Sequence, residues 1–452
     1  MTPTRRRFLL SATVAGAASL VGRVVRVLKG EPPAAGTASA QSLFSQIAVT
    51  HGPFVGHLTD TTAFVWAKCA TPGAYRLLVR GVEDGREFTA NAEATAEGGM
   101  SVVWSVAGLE GGKRYGYEVS YLGRTVVAGQ DEFFITPLPQ GSATITRLAV
   151  GSCAREDPGS AAVWRRMSAL DPDCVVLLGD TPYIDSTVLE VQRRRYSEFA
   201  AVPDFARLLR NKPLYATWDD HDFGRNDSDG QLEGRDDSRR AFLEYHANPS
   251  YGEGDQGVYT KFRRNGVEVF LLDTRYFAGT EPSPLAADQP TLLGRRQWEW
   301  LQEGLRASTA PFKLLASGMI WNRAVRPNKQ DHWATYPHER EAVFRFIGRE
   351  RISGVVLVGG DIHRTRVLRY DTNDTVGYPL TELITSPIHG GVIEEANTPD
   401  PALVHDSGEP HSFMLVTVDT TVSPATLLAQ FQNSAGRELY SLTLTADTLA
   451  AA

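Results

Sequence analysis

Four apolar segments of the sequence end in side chains that could bind metal ions or act as acids and bases. The segments LAVGSC, VVLLGD, YATWDDHD and VVLVGGDIH end at Cys153, at Asp180, at residues 219–222, and at Asp361 with His363. A single aspartate after a strand is more often a helix cap than a ligand. Four such ends, rich in acids, histidine and cysteine, indicate one shared site, because ligands of open α/β sheets bind beyond the carboxyl ends of the strands.

The residue types favour a metal cluster over a nucleophilic triad. Carboxylates bind hard cations such as Ca²⁺, Mg²⁺ and Mn²⁺, whereas imidazole, thiolate and phenolate suit iron and other transition metals. A site with both sets could hold two unlike metals, with one carboxylate bridging them. Two neighbouring cations polarise a phosphate and lower the pKa of bound water enough to make it a nucleophile. Ser152 is an alternative nucleophile, but the G-x-S-x-G elbow is absent from the sequence.

The elements that must position these residues are strands and helices in alternation. From Leu148 onward, continuous apolar runs alternate with helical segments, which predicts buried strands with helices on both faces. Near the end, SFMLVTVDT, ATLLAQFQNS and LYSLTLTA return to an alternating pattern. Residues 45–136 contain short strands separated by Gly, Asp and Pro, which predicts a small antiparallel β-sandwich. The segment TPLPQGS at 136–142 is the predicted linker.

Composition and net charge restrict the class of protein to which the chain can belong. The 452 residues have 42% hydrophobic and 22% charged side chains, as in ordinary globular proteins. The net charge of −7 argues against an obligatory nucleic-acid partner, because such proteins usually carry a basic face. Of the three cysteines, Cys69 and Cys174 lie within strand patterns and are interpreted as structural, and at least one cysteine must remain unpaired.

The N-terminal 40 residues have the pattern of an export signal. TPTRRRFLLSATVAGAASLVG joins three arginines to an apolar run and is similar to the twin-arginine signal S/T-R-R-x-F-L-K, with Leu10 in place of the final Lys. A membrane anchor and an ordinary Sec signal are the alternatives. The apolar run is short for a membrane span, and ASA at 38–40 is a plausible cleavage site. We therefore expect export through the twin-arginine machinery to the periplasm or the extracellular space, with no transmembrane segment in the mature form. Six of the 46 basic and one of the 53 acidic residues lie in 1–40, so cleavage would change the net charge from −7 to −12.

Six motifs in this order resemble the PhoD-type alkaline phosphatases, a branch of the metallophosphoesterases. They are GSC, GDTPY, WDDHDFGRND, LLDTRYF, LGRRQWEWL and GGDIH, and the N-terminal GPFVGHLTDTTAFVWAKC is similar to the β-sandwich domain of that family. WDDHDFGRND together with GDIH is highly specific. The resemblance covers nearly all of residues 47–446. Together with the export pattern at 1–40, it predicts a β-sandwich at 41–137 and a catalytic domain at 145–448. The catalytic domain would be an α/β sandwich of mixed sheets flanked by helices.

The family binds iron together with calcium, and the resemblance assigns ligands residue by residue. Cys153, Tyr183 and His363 match iron ligands, Asp180 matches the carboxylate that bridges Fe³⁺ and Ca²⁺, and Asp361 matches a calcium ligand. Other divalent metals could occupy the same positions.

The WDDHDFGRND motif carries the remaining assignments. Asn226 matches a calcium ligand, and Asp220 aligns with the metal-binding Asn of the wider superfamily, with Asp219 as the alternative. His221 would contact the phosphate and help to protonate the leaving oxygen. Many family members have Glu-Val after D-D-H, whereas this chain has Asp222 and Phe223.

Two further residues have open interpretations. Arg275 in LLDTRYF could pair with Asp273 and hold a loop, or bind substrate phosphate through its fork of donors. His389 in SPIHGG lies in a glycine-flanked turn and is a candidate for the lining of the pocket.

The sequence thus predicts an exported metal-dependent phosphoester hydrolase, in which water attacks phosphorus at a multi-metal centre and a small phosphoester is the substrate. A phosphodiesterase or phospholipase D-like hydrolase is the first alternative. A non-catalytic binding protein whose β-sandwich makes the contacts is the second. Sequence alone does not choose between monoester and diester, because the width of the pocket depends on loops.

Overall fold

The structure is a computed structural model that describes residues 48–323 and 325–451. The predicted signal at 1–40 and its cleavage site lie outside the described residues. No helix in the described part of the chain combines the length and the apolar character that a bilayer span requires.

The N-terminal strands form two antiparallel sheets, as the alternation of apolar and polar residues predicts. The strands are β1 (Val49–Leu58), β2 (Thr62–Cys69), β3 (Gly73–Gly81), β4 (Glu87–Ala94), β5 (Ser101–Ala107), β6 (Arg114–Tyr121), β7 (Arg124–Val127) and β8 (Phe133–Ile135). One sheet has the order β1–β2–β5, and the other has the order β4–β3–β6–β7 with β8 also paired to β6. In β5 the alternate residues Val102, Trp104 and Val106 are buried. The predicted domain boundary falls in the connection after β8 and stays a prediction.

The chain then builds a first mixed sheet of six strands. They are β9 (Ile145–Gly151), β10 (Cys174–Leu178), β11 (Leu214–Thr217), β21 (Ser412–Asp419), β22 (Thr426–Asn433) and β23 (Glu438–Thr445). Their order is β11–β10–β9–β21–β22–β23. Strands β9, β10 and β11 are parallel, and β21 joins β9 antiparallel. The three C-terminal strands are those predicted from the returning alternation.

A second mixed sheet has seven strands. They are β12 (Thr260–Arg264), β13 (Val267–Leu271), β16 (Phe312–Ala316), β17 (Val355–Gly359), β18 (Thr365–Arg369), β19 (Thr381–Ile384) and β20 (Leu403–Ser407). Their order is β12–β13–β16–β17–β19–β18–β20, and β13, β16, β17 and β19 are parallel. A short hairpin, β14 (Pro282–Ser283) and β15 (Ala286–Pro290), lies outside both sheets.

Helices connect the parallel strands. They are α1 (Pro158–Ala169), α2 (Leu189–Ala200), α3 (Pro203–Leu209), α4 (Asp220–Phe223), α5 (Arg235–Tyr245), α6 (Gly294–Ala307), α7 (Pro337–Arg349) and α8 (Asn373–Val376), with 3₁₀ turns at Trp333–Thr335 and Asp447–Leu449. The first helix is capped by Asp157, whose carboxylate accepts from the backbone N–H groups of Gly159 at 2.8 Å and Ser160 at 3.0 Å.

The side chains of the parallel strands point alternately into two cores. In β10, Val176 joins a cluster that also contains Val269 of β13 and Leu314 of β16, so the two mixed sheets share this core. The intervening Val175 joins a second cluster with Trp164 of α1 and helps to bury the helices. A strand buried on both faces reads as an unbroken apolar run, which is why VVLL and VVLV carry no alternation.

The buried Asp273, two residues after β13, holds the loop that carries Arg275. Its Oδ1 accepts from the Trp218 indole N–H at 2.8 Å and from the backbone N–H groups of Arg275 at 3.0 Å and Tyr276 at 2.9 Å. Its Oδ2 accepts from the backbone N–H of Val258 at 2.9 Å. Asp273 therefore bonds the backbone of Arg275, and its carboxylate does not pair with the guanidinium.

We expect Asp273→Ala to lower the free energy of unfolding by about 3 kcal/mol or more, because it leaves buried N–H donors unsatisfied. Asp273→Asn keeps one carbonyl acceptor and should lose less. Exposed Asp288→Ala is the control, with a change within about 0.5 kcal/mol. Urea unfolding of the three variants gives the comparison, and equal stability of Asp273→Ala and the control would contradict the role of this carboxylate.

Candidate metal centre

The residues predicted from the four strand ends lie close together in the structure. Cys153 follows β9, Asp180 follows β10, Asp219 and Asp220 follow β11, and His363 follows β17. One group consists of Cys153, Asp180 and His363, which each offer a ligand atom within 4.8 Å of the others. The Cys153 Sγ lies 3.6 Å from Asp180 Oδ2. The parallel strands of both sheets therefore deliver donors to one place, as the sheet rule predicts.

Tyr183 belongs to the same end of the cluster. Its hydroxyl oxygen lies 2.8 Å from His363 Nε2 and 2.9 Å from His389 Nε2. Ligand atoms of a first-row metal lie about 2 Å from it, so neighbouring ligands are roughly 3 Å apart. The phenol oxygen of Tyr183 and Nε2 of His363 thus have the spacing of two ligands of one ion.

Four of the predicted ligands have backbones in the left-handed region. The φ angles are 56° at Cys153, 54° at Asp180, 59° at Asp361 and 54° at His363. This region costs an L-residue roughly 1–2 kcal/mol, and such residues concentrate at functional sites. The chain turns away sharply at the ends of β9, β10 and β17, and the strained residues there are the ones that carry the donors. Asp219, after β11, has an extended backbone.

Two glycines make room for Asp219 in this crowded edge. A Cβ on Gly179, whose φ is +90°, would lie 2.3 Å from the backbone nitrogen of Asp219. A Cβ on Gly318, after β16, would lie 2.3 Å from the Asp219 carboxyl carbon. The glycine of GDTPY is thus required by the close approach of a neighbouring strand end.

A second group consists of three carboxylates. Asp219, Asp220 and Asp361 each offer an oxygen within 4.8 Å of the others. Asp219 Oδ2, Asp220 Oδ1 and Asp361 Oδ2 are buried and have no hydrogen-bond partner among the described residues. Buried polar atoms are nearly always satisfied, so three orphaned carboxylate oxygens in one group fit a bound hard cation.

Asp180 belongs to both sides of the cluster. Besides its group with Cys153 and His363, it forms a group with Asp220 and His221. Its Oδ1 accepts from the backbone N–H of His221 at 3.3 Å, and its Oδ2 faces the Cys153 thiol. The geometry fits the carboxylate bridge that the sequence predicts for this residue.

Burial and like charges shift the pKa values of this cluster. Burial, together with the Asp220 and Asp219 charges, raises the pKa of Asp180 well above its usual range. Burial raises the pKa of Asp361 to about 7, although the Lys329 ammonium opposes this shift. For Asp220, burial acts in the same direction, but the charges of Arg275, His221 and Lys329 and the backbone N–H of Asp227 together outweigh it, and the pKa is lowered. Burial also raises the pKa of the Cys153 thiol, which the Asp180 charge raises further.

The pKa values of two histidines, His363 and His389, are shifted toward the neutral form of the ring. Burial lowers the pKa of His363 to about 3, and the neighbouring His389 and His221 act in the same direction. Burial and the Arg155 charge lower the pKa of His389 to about 4. Neutral imidazole is the form that binds metals.

Arg275 is engaged by carboxylates and does not face an open pocket. Its side chain is 1% exposed. It donates to Asp219 Oδ1 from Nε at 2.7 Å, and to the two Asp331 oxygens at 2.7 and 2.8 Å. The N–H donors that could have bound substrate phosphate are therefore occupied by the carboxylates of Asp219 and Asp331.

The two other residues predicted from WDDHDFGRND have different surroundings. His221 Nδ1 lies 2.5 Å from Asp185 Oδ1, which orients the imidazole ring. Asn226 is exposed and follows α4. The adjacent Asp227 donates its backbone N–H to Asp220 Oδ2 at 2.6 Å.

The family departure at Asp222 has a structural explanation. Its Oδ1 accepts from the backbone N–H of Asp219 at 2.6 Å, and its Oδ2 accepts from the backbone N–H of Thr181 at 3.5 Å. Asp222 therefore ties the loop after β10 to the loop after β11. No role was predicted for Asp222 from the sequence, because nothing in the acidic run 219–222 distinguishes an acid that bonds the backbone from one that binds metal.

Sequence reasoning missed five residues of the site. They are Arg155, Asp185, Asp227, Lys329 and Asp331. Asp227 and Asp331 form a further group with Asp220, and the Lys329 ammonium contacts Asp227. Asp185 and Arg155 follow GDTPY and GSC within a few residues, so proximity to a motif was an available signal. Lys329 and Asp331 lie in a segment without a motif, where no such signal exists.

Comparison with known proteins identifies the family and the relatives of this chain. The family model described as PhoD-like phosphatase matches residues 148–447. The chain is 26% identical over 311 residues to alkaline phosphatase D of Bacillus subtilis (strain 168), an alignment that covers 57% of this chain and 52% of that protein. The chain thus spans about half the length of this curated relative.

Solved structures share the fold. The structure of PhoD superimposes with a TM-score of 0.70 at 19% identity, covering 90% of this chain and 94% of that one. The purple acid phosphatase PPD1 from yellow lupin (Lupinus luteus) seeds gives a TM-score of 0.65 at 12% identity, covering 87% of this chain and 74% of that one. These matches bear out the predicted mixed-sheet fold with antiparallel N-terminal sheets. Because the family model extends over well more than half of the sequence and includes the four strand ends described above, this chain belongs to the PhoD-like phosphatase family.

Proposed function

We propose that the chain is an exported, metal-dependent phosphoester hydrolase of the alkaline phosphatase type. The observation that carries this proposal is the meeting of two donor sets, one with thiol, phenol and imidazole, and the other with carboxylates whose buried oxygens lack partners. Family membership supports a phosphatase chemistry. The arginine-rich start of the sequence supports export by the twin-arginine route.

The donor types suggest which residues would hold which ion. We assign Cys153, Tyr183 and His363 to Fe³⁺, with Asp180 shared between the two ions. The residues assigned to Ca²⁺ are Asp220, Asn226 and Asp361. Asp220 is preferred to Asp219, because Asp219 already has an ion pair with Arg275. Such ions, when bound, polarise the phosphoester and lower the pKa of a water molecule.

His221 is the proposed proton donor to the leaving oxygen. Asp185 lies at hydrogen-bond distance from Nδ1, so it fixes the ring and leaves Nε2 as the atom available to the leaving group. Arg275 becomes a positioning residue in this scheme, because it holds Asp219 and Asp331 and keeps two carboxylates fixed near Asp220.

Arg155 takes over the role of phosphate binding for which Arg275 was a candidate. Its guanidinium carbon lies 4.2 Å from the centre of the Tyr183 ring. The side chain is exposed, and none of the ion pairs among the described residues involves it. A guanidinium without a carboxylate partner, beside the predicted iron ligands, can donate two N–H hydrogen bonds to the oxygens of a phosphate.

Turnover of two model substrates tests the proposed function. We expect the purified protein to hydrolyse p-nitrophenyl phosphate or bis-p-nitrophenyl phosphate with calcium present, and to lose this activity after treatment with a chelator. The faster ester decides between monoesterase and diesterase. Absence of turnover of both esters, in protein shown by elemental analysis to contain metal, would contradict the proposal for these ester classes.

Asp180→Asn removes the shared carboxylate and leaves its shape. Loss of a hydrogen-bond partner of a metal ligand typically lowers activity by about 10–100-fold. Asp180 is itself a proposed ligand, so we expect activity to fall by more than about 100-fold. Stability without metal should not fall, because the variant removes one of several mutually repelling buried acids. Thermal unfolding after chelation is the second measurement, and full activity in the variant would exclude Asp180 as the bridge.

Cys153→Ser tests the thiolate assignment. We expect iron content to fall while bound calcium persists, because a hydroxyl is a poor substitute for thiolate at iron. Cys174→Ser is the matched control, since Cys174 is equally buried but lies within β10 away from the donors. Iron content that is unchanged in Cys153→Ser, or lowered equally in both variants, would refute the assignment.

Arg155→Ala tests the contact with phosphate. A monoester carries more negative charge than a diester, so kcat/KM for the monoester should fall by about tenfold to hundredfold, and more than for the diester. Arg155→Lys should keep part of the effect. Arg165→Ala, on α1 with a pair to Asp204, is the control. Equal losses for the two esters in Arg155→Ala would show that Arg155 does not read the charge of the substrate.

A further inference from the structure

His389 lies in the loop after β19 and is tied to the residues that bear the predicted thiolate. It is 2% exposed. Its backbone N–H donates to the Cys153 carbonyl at 3.0 Å, and the preceding N–H of Ile388 donates to the Ser152 carbonyl at 3.0 Å. These bonds fix the backbone of His389, and therefore the point from which its imidazole extends, next to Cys153.

The hydrogen bonds of the ring determine where its proton lies. The backbone N–H of Gly391 donates to His389 Nδ1 at 2.8 Å. A backbone N–H can only donate, so Nδ1 is an acceptor, and the proton of the neutral ring is on Nε2. Nε2 lies 2.9 Å from the Tyr183 oxygen. The His389 N–H therefore donates to the phenol oxygen.

The other neighbour of the Tyr183 oxygen completes the arrangement. His363 Nε2 lies 2.8 Å from it. The phenol O–H of Tyr183 can donate one hydrogen bond, to His363 Nε2. Its oxygen can at the same time accept a hydrogen bond from the Nε2–H of His389. The bond from His389 is compatible with the phenol and with the phenolate, because in both forms the oxygen is an acceptor.

We propose that His389 is a positioning residue whose Nε2–H donates to the Tyr183 oxygen and holds it beside His363, so that the two atoms serve one metal ion. The inference rests on the proposed function, which makes Tyr183 and His363 ligands of iron. Hydrogen-bond partners of ligands fix their orientation and tune the metal, and their loss typically lowers metal affinity by about 10–100-fold.

The visible absorption of an iron(III)–phenolate bond reads out this contact directly. We would load the full chain and three variants with Fe³⁺ and calcium, and record the charge-transfer band and the iron affinity. The variants are His389→Phe, His389→Gln and, as a matched control, His411→Phe. His411 lies in the same region and its Nδ1 contacts the Ile388 carbonyl at 3.1 Å, with no bond to Tyr183.

We expect His389→Phe to shift the band to longer wavelength and to weaken iron binding by about 10–100-fold. The shift follows because a donated hydrogen bond lowers the energy of the oxygen lone pair, and its loss brings that energy closer to the acceptor orbital of the iron. His389→Gln supplies an amide donor and should restore part of both properties. His411→Phe should match the wild type.

A measurement on metal-free protein keeps the inference testable if a variant fails to fold. The ¹⁵N shifts of the His389 ring in chelator-treated wild type should identify the tautomer with the proton on Nε2. The tautomer with the proton on Nδ1 would overturn the proposal without any reference to iron.

The outcomes separate this inference from the proposed function. An iron–phenolate band in the wild type that is unchanged in His389→Phe, with unchanged iron affinity, would show that the contact is packing alone and would leave the proposed function standing. Iron-loaded wild type without such a band would exclude Tyr183 as a ligand and overturn both the ligand set and the role of His389.

Discussion

Mutual repulsion of buried carboxylates is the constraint on which the rest of this site depends. Asp180, Asp219, Asp220 and Asp222 are almost fully buried where strands of the first mixed sheet end. Asp361 lies at the end of a strand of the second mixed sheet, is half-buried, and contributes a buried Oδ2 atom to the same cluster. Burial alone opposes their ionisation, and each charge raises the pKa of its neighbours. A cluster of this kind persists only if cations or hydrogen-bond donors compensate it.

The protein supplies part of that compensation from its own residues. Arg275 forms buried ion pairs with Asp219 and Asp331. Asp222 accepts hydrogen bonds from the backbone N–H groups of Asp219 and Thr181, which offset part of the cost of its burial. The least compensated carboxylate is Asp180, whose pKa is raised by burial and by four neighbouring acids. Asp220 and Asp361, which the family resemblance also assigns to metal, are stabilised in part by Arg275 and Lys329 but keep buried oxygens without a partner among the described residues. The internal cations thus compensate only part of the negative charge, and the remaining carboxylate oxygens are available to external ions.

Backbone geometry makes this concentration of charge possible. Parallel strands of two sheets end at one edge, and Cys153, Asp180, Asp361 and His363, which follow three of them, have left-handed backbones. Close approach of the loops requires glycine at Gly179 and Gly318, beside Asp219. The apolar cores on both faces of the strands provide the stability that offsets this strain, because a strained turn is retained only when its surroundings over-determine it. The same rigidity keeps Tyr183 between His363 and His389.

The sequence by itself determined the donors and the elements that carry them. Apolar runs that end in Cys153, Asp180, Asp220 and His363 predicted buried strands, a shared edge and a mixed set of metal ligands, because strand periodicity and ligand chemistry are local properties. Only the tertiary structure decided the partners. Arg275 meets Asp219 across 56 residues, and Tyr183 meets His389 across 206. Periodicity predicts which face of an element is buried, but two side chains distant in sequence become partners through the packing of the sheets. For that reason the role of Arg275 was left open between a loop contact and phosphate binding, and the bond from His389 to Tyr183 was invisible.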